Sequence, residues 1–556
     1  MQNRITSVRT GAATALIAGA CLASSALAQD HQRLIGDFTE ESPRSQGLAD
    51  SENALITSGI LRRVGLAGGA AQDMYISKIR TQTGLEEWTT QIGGPADDSG
   101  LCAEQLRSRE HILLGHSLST PPNFQLVLSK LDPLGNVLWS RIYLGDPTIY
   151  SGAPKGGTVR EVRPPAAVPA NNPGDLVVAT GNTLFGPNVR AHLLRTDPNG
   201  TPIFGNIYTD LRYADGGEHA FADFRELPDR SIICVGTITD RDQGVPGGPP
   251  VTTQKILLVR VNAAGAVLWA RTYSYPAAAV QTIRLQQGRG VDLANNDSHI
   301  IVSASLQVLD SAGLATDFVQ YLRTDLAGNP LAYRVYKNLH VSPPSLRSIH
   351  ESTNGEALIH ANMSRNVLPA VAPPIPAPVV APISPTGPAG LMLIDGPGNP
   401  LWAYSYSPLT LTTDDQAAVG SNPLVRGPVT QFTMLAKKTL THGYDVAPNQ
   451  GDMLFVLTRP DGKTTCMAEP IPISVDAPQP LLGEVPMQWI NEPAGTFWQF
   501  ASSHPNFTDT RYTCPGDYNA DCRVDFADMN EVLSFFGVRY NFSDLNLVLG
   551  NFGGGC

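Results

Sequence analysis

Near its C-terminus the chain places oxygen-bearing side chains at Asp517, Asn519, Asp521, Asp525 and Asp528. Counted from Asp517 they stand at positions 1, 3, 5, 9 and 12 of a loop whose position 7, Arg523, offers its backbone carbonyl. Ca2+ is a hard cation that takes oxygen ligands, and a short loop presenting them at this spacing can wrap one ion. Position 6 is Cys522 where such loops place a glycine for the sharp turn, which makes the backbone less easy to bend.

The elements that must hold this loop follow it directly. Residues 526–537 and 542–553 match at seven of twelve positions with an offset of 16, so the tail is a duplicated unit. In each copy the apolar residues, Met529, Val532, Leu533 and Phe536, then Leu545, Val548, Leu549 and Phe552, recur at helical spacing. Two short helices that pack face to face are predicted, headed by Asp528 and Asp544, where a carboxylate favours the positive end of the helix dipole. The second unit keeps only Asn541 and Asp544 of a ligand set, so one ion is expected rather than two. Such a small pair lacks core of its own, and Cys514 and Cys556 bracket it. Those two cysteines either staple the tail, or Cys556 is an attachment point.

This tail resembles a type I dockerin, and its Gly555-Cys556 finish resembles the GC-terminated dockerin-like anchors of exported bacterial proteins. The resemblance implies an EF-hand-like domain over residues 506–556. It places calcium on the side chains of Asp517, Asn519, Asp521 and Asp528, on the Arg523 carbonyl, and on Asp525 directly or through water. It also implies a cohesin-like or cell-envelope protein as partner. The partner-contacting positions 10 and 11 are here Phe526-Ala527 and Phe542-Ser543 instead of the usual Ser-Thr type.

The N-terminus fits export. Arg4 and Arg9 precede an apolar run from Ala12 to Leu27 that ends in Ala26-Leu27-Ala28, the pattern of a signal peptide over residues 1–28. An extracellular or cell-surface location permits disulfides among Cys102, Cys234, Cys466, Cys514, Cys522 and Cys556, without fixing their pairing. The net charge of -11 argues against nucleic acid as partner, because phosphate binding needs concentrated Lys and Arg. No later apolar run is long enough for a spanning helix.

Between these ends the sequence repeats itself. Residues 124–143 recur as residues 255–273, with weaker copies around Gly84, Gly200, Gly328, Gly398 and Gly462. The seven turn glycines lie 51, 65, 65, 63, 70 and 64 residues apart. Each copy alternates apolar residues, turns on Asp, Asn, Pro and Gly, and resumes with an aromatic, which is a β-hairpin signature. A further pair of strand-like runs precedes each hairpin. Four short strands in each of seven units describe an all-β, seven-bladed β-propeller with a small α-helical tail. The body resembles the Gly-Asn-x-x-Trp repeat propellers of secreted bacterial proteins, a resemblance specific for architecture and nearly silent on activity.

The domain reading is a linker over 29–49, a propeller body over 50–505 and the tail over 506–556. The first unit is the shortest, and its missing strand is assigned to residues 467–505. The repeated aromatics Trp88, Trp139, Trp269, Trp402, Tyr143, Tyr208 and Tyr273 read as core between blades. Proline-rich stretches at 369–388 and 163–175 read as extended spacers.

Acidic residues recur where innermost strands should begin, at Asp97-Asp98, Asp215 and Asp414-Asp415. They read as turn caps; as carboxylate pairs they would instead suit glycosidic-bond hydrolysis. The functional expectation is therefore an exported, non-enzymatic binding or interaction module for an unknown ligand, displayed through the calcium-stabilised tail. The alternative is a polysaccharide-active enzyme, a glycoside hydrolase or lyase, delivered by that tail.

Overall fold

The computed structural model describes residues 31–35 and 39–49, most of 53–491, and 501–503, 509–510, 526–534, 545–546 and 548–549. Outside the description lie residues 1–30, 492–500 and 511–525, shorter segments, and the stretches 64–71, 118–124, 144–156, 164–173, 184–188, 243–250, 341–347, 364–388, 407–415 and 440–450. The expected signal peptide, the longer proline-rich stretch and the expected calcium loop through Asp525 fall there.

The hairpin signature becomes structure at every repeat. All seven turn glycines adopt positive φ, from 63° at Gly84 to 90° at Gly398. At Gly265 and Gly328 two demands meet. A Cβ on Gly265 would lie 2.9 Å from the Phe204 ring of the preceding sheet, and one on Gly328 would lie 3.1 Å from Trp269. Positive φ and the close approach of an aromatic both select the residue without a side chain. An Asp or Asn opens five of these turns and works locally: Asp132 Oδ1 accepts the Leu134 and Asn136 N–H groups at 2.9 and 2.8 Å, Asn262 Oδ1 does the same for Ala264 and Ala266, and Asp197, Asp325 and Asp395 each accept the N–H four residues on.

The aromatics tie each hairpin to the next. Tyr143, Tyr208, Tyr273, Tyr336 and Tyr406 donate their hydroxyls to the carbonyls of Gly200, Gly265, Gly328, Gly398 and Gly462 at 2.6, 2.9, 2.5, 2.6 and 2.5 Å. The first unit has Ile92 at this place, and Thr90 supplies the bond to Gly135 at 2.6 Å. The repeated aromatics are thus core between sheets, and Tyr208, Tyr273, Tyr336 and Tyr406 are fully buried.

The described strands form seven antiparallel sheets in a propeller arrangement. Their innermost strands are Thr39–Ala49, Asp98–Gln105, Gly157–Glu161, Glu218–Glu226, Thr282–Ala294, Ile349–Glu351 and Gln416–Arg426. Each packs against the innermost strand of the next sheet, and Gln416–Arg426 packs back on Thr39–Ala49. Apolar clusters fill the spaces between sheets; Val177, Leu193 and Tyr208 of the third meet Phe221, Cys234 and Leu257 of the fourth.

Both ends of the body depart from the sequence reading. Within residues 29–49, read as a linker, the described residues are strands instead: Thr39–Ala49 is the innermost strand of the first sheet, and His31–Ile35 is the fourth strand of the seventh, pairing antiparallel with Gly451–Leu457. The first sheet therefore has its four strands from residues 39–93, and of residues 467–505 only Ala501–Ser503 joins it, as an added outer strand. Residues 467–505 run backwards around the outside instead. Ala468–Pro470 pairs with the sixth sheet, Val475–Asp476 with the fifth, Leu481–Glu484 with the fourth and Met487–Asn491 with the third. Ala501–Ser503 then pairs with the first, and Asp509–Thr510 with His31–Ile35 of the seventh. An outer β edge is a row of unpaired N–H and C=O groups open to foreign strands, and this belt covers it in six sheets. The second sheet keeps four strands among the described residues.

Two further expectations change. Cys102 and Cys234 are buried in the second and fourth sheets without a disulfide between them, and Cys234 is a free thiol, so the six cysteines from Cys102 onward do not all pair. Each is enclosed by the apolar core of its own part of the ring. In the tail, Phe526–Ser534 is helical. Val532 and Val548, equivalent in the duplicated unit, are buried, whereas Leu533 and Leu549 are about half exposed, so the buried stripe is narrower than the apolar pattern.

Candidate functional site

Of the residues expected to hold a metal, Asp517, Asn519, Asp521, Arg523 and Asp525 lie outside the described residues. Asp528 falls in the first turn of the helix Phe526–Ser534, where a carboxylate from the last loop position belongs. The donor set is all oxygen, which suits calcium.

The carboxylates proposed for chemistry divide. Asp97 is exposed and accepts the Gln72 N–H of the first sheet at 2.9 Å, a capping role, while Asp98 is buried at the start of its innermost strand. Asp215, Asp414 and Asp415 lie outside the description.

The structure brings together a different set. Ionisable residues from the innermost strands of five sheets join in one chain, with two of them, Asp223 and Arg225, on the strand of the fourth. Arg160 of the third sheet lies 3.6 Å from Glu104 of the second and 2.9 Å from Asp223 of the fourth. Arg225, beside Asp223 on the fourth strand, binds Asp292 of the fifth at 2.6 Å. His350 Nδ1 of the sixth lies 3.7 Å from the other Asp292 oxygen. Backbone N–H groups from neighbouring sheets also donate to these carboxylates, Val291 to Asp223 at 3.2 Å and Glu351 to Asp292 at 3.0 Å. Burial would raise the Asp292 carboxyl, but the Arg225 charge and His350 override it and hold the group well below the usual carboxylate range.

A second cluster sits at the end of the fourth sheet where strands lead into the longer loops. Asp240 accepts Lys255 Nζ at 2.6 Å, Arg212 Nη1 at 3.0 Å and the Tyr213 hydroxyl at 2.7 Å. Arg212 also pairs with Asp210 at 2.7 Å, and Arg241 with Glu218 at 3.3 Å. The guanidinium carbons of Arg212 and Arg241 stand 5.4 and 5.8 Å from the Tyr213 ring centroid, within cation–π range. Burial and the hydrogen bond to Asp240 raise the Tyr213 phenol, which stays neutral near pH 7. Burial alone would raise Asp240, yet its bonds from Lys255 and Tyr213 hold it low. Cations and anions in this cluster balance, so it joins strands and loops and holds the tyrosine proton on the phenol.

Sequence reasoning missed both groups. The signal for the first was present: Glu104, Arg160, Arg225, Asp292 and His350 fall one to a repeat, but they become visible only when the innermost strands are aligned on one another.

No family model and no curated protein matches the sequence. Among solved structures the chain is similar to the polysaccharide lyase Uly1, at 8% identity and a TM-score of 0.40, with 75% of this chain and 90% of that one covered. It is also similar to a protein of unknown function from Dyadobacter fermentans, at 10% identity and a TM-score of 0.34, covering 78% and 97%. A Synechocystis apocarotenoid oxygenase mutant matches at 11% identity and a TM-score of 0.34, covering 81% and 96%. Likenesses this distant carry no argument about chemistry.

Proposed function

We propose that the chain is an exported, non-enzymatic, seven-bladed β-propeller that serves as a binding and display body, carried by a calcium-stabilised dockerin-like tail. The observation that supports a scaffold most is the charge chain from Glu104 to His350, in which the ionisable groups of five innermost strands are engaged with one another. Joined sheets and covered outer edges make a stiff frame, and the connections at the loop-bearing end are left to recognise a ligand. In the tail, Asp517, Asn519, Asp521, Asp525 and Asp528 with the Arg523 carbonyl would hold one Ca2+, which ties the loop to its helix. The tail's partner would be a cohesin-like or cell-envelope protein.

Calorimetry of the full chain, stripped of divalent ions and titrated with CaCl2, is expected to show one saturable site that Asp517→Ala abolishes while the ring's unfolding temperature is unchanged. Calcium binding that survives Asp517→Ala would remove the tail from the proposal. Turnover on a panel of neutral and acidic glycans, lost in Asp97→Asn or Asp98→Asn with the fold retained, would replace the binding role by catalysis.

A further inference from the structure

Several arginines of this ring are held in close ion pairs, whereas Arg44 and Arg289, whose guanidinium pKa burial lowers, share one structural position without such a pair. Arg160, Arg195, Arg212 and Arg225 each have a carboxylate oxygen within 2.9 Å. Arg289 and Arg44 make no ion pair among the described residues, and both are the extra residue of a β-bulge on an innermost strand. Gly288 pairs with Ala304 and Gly290 with Ser303, which leaves Arg289 unpaired on the ladder of the fifth sheet. Pro43 pairs with Gly59 and Ser45 with Ser58, which does the same for Arg44 in the first sheet. A bulge re-aims the residue it inserts, and here it does so on strands whose other edge has no ladder partner.

The backbone around Arg289 is fixed from both sides. A Cβ on Gly288 would stand 2.5 Å from the Gly236 carbonyl oxygen of the fourth sheet, and one on Gly290 would stand 2.6 Å from the Ser348 nitrogen beside the sixth. The bulge is therefore wedged between its neighbours. Of the five N–H donors on the guanidinium, Nη2 bonds to Gln287 Oε1. Nε is sealed from solvent and has no partner. Gln287 in turn donates to Gln254 Oε1 of the fourth sheet at 3.1 Å, which fixes the amide that orients the arginine. Burial, with no opposing charge, lowers the Arg289 guanidinium to about 10, so it is still a cation at neutral pH. Burial lowers Arg44 likewise, and its charge adds to the burial that lowers His116 to about 4 and keeps that ring neutral.

A sequestered cation with donors to spare and no counterion is a costly arrangement that an incoming anion relieves. We propose that Arg289 anchors an anion site on the innermost strand of the fifth sheet, taking a carboxylate or sulfate group, and that Arg44 is a second cation of the same kind. The inference goes beyond the display reading and stands without it. The group can belong to a free ion or to a larger acidic molecule, and the experiment separates the two.

The full chain is titrated calorimetrically at low ionic strength with sodium sulfate, sodium glucuronate and glucose. Saturable binding of at least one anion and none of glucose is expected. Arg289→Gln weakens that binding about tenfold or more, as loss of a charged hydrogen-bond donor requires. Arg289→Lys, which keeps the charge but not the planar fork, weakens it less, and Arg80→Gln, the same loss of charge at an exposed site, leaves it unchanged. Stronger binding of glucuronate than of sulfate indicates an acidic sugar, and the reverse a simple oxyanion. Arg44→Gln serves as a second variant should Arg289→Gln not fold. Absence of saturable anion binding in the parent chain, equal weakening in Arg80→Gln, or unchanged binding in Arg289→Gln overturns the proposal.

Discussion

Acidification from about pH 7 to about pH 5 is expected to destabilise the ring by about 2 kcal/mol for each of four buried histidines, His116, His192, His219 and His360. Burial is the first cause in each case, and it lowers the first three from 6.5 to about 4 and His360 to about 3. In the unfolded chain these imidazoles take up protons near their ordinary value, whereas in the ring they refuse them until the pH is far lower. Their contribution is thus complete above about pH 6.5 and is lost as the pH falls toward 4. Asp292 acts in a separate window. Its carboxyl is held low in the folded state, so its contribution is present above the unfolded carboxyl value, about 3.9, and is lost only below that. Urea unfolding at a series of pH values should give a slope corresponding to about four protons taken up on unfolding near pH 5. His219→Gln should reduce the slope by about one proton. A stability that is flat between pH 7 and 5 would show that these rings are not sequestered.

Removing Arg225 is expected to cost about 3–5 kcal/mol, because it withdraws the main cation from Asp292 and a second cation, 3.8 Å away on its own strand, from fully buried Asp223. Arg160 still holds Asp223, so the loss falls chiefly on the junction of the fourth and fifth sheets. Replacing both partners should cost much less, since apolar residues in place of a buried pair are often tolerated. The double variant Arg225→Met with Asp292→Leu should therefore unfold at lower urea than the parent but above Arg225→Met alone. Additive losses would mean that the two residues do not act through one another.

The sequence and the structure agree where a residue's role is local. Gly265 had to be glycine because of its own φ and its neighbour's ring, and Asn262 bonds to N–H groups two and four residues on. Such constraints repeat with each unit and so can be read directly. Tyr273 was legible as core, although its hydroxyl bond to Gly328 was not, because that needs the next hairpin in place. What escaped is long-range pairing. Val475–Asp476 and Leu481–Glu484 are two and four residues long, too short for an alternating pattern to register, and their partners are chosen by the path of the chain around the ring. His31–Ile35 could be suspected of being a strand, but nothing in its residues names Gly451–Leu457 as its neighbour. Arg160, Arg225 and Asp292 read singly as ordinary surface charges. Their meaning comes from three innermost strands lying side by side.

The C-terminal part of the body pairs in reverse order with the sixth, fifth, fourth, third, first and seventh sheets, and the architecture rests on this belt. Paired cysteines test it directly, since antiparallel register partners bring Cα atoms to about 4.5–5.5 Å, within disulfide range. Thr209 opposes Gln488 in the third sheet, and Ser274 opposes Leu481 in the fourth. Thr209→Cys with Gln488→Cys, and Ser274→Cys with Leu481→Cys, should each oxidise to an intrachain disulfide identified by peptide mass mapping, while the crossed pair Thr209→Cys with Leu481→Cys should stay reduced. Efficient closure of the crossed pair, or failure of both register pairs in the folded protein, would contradict the reverse belt.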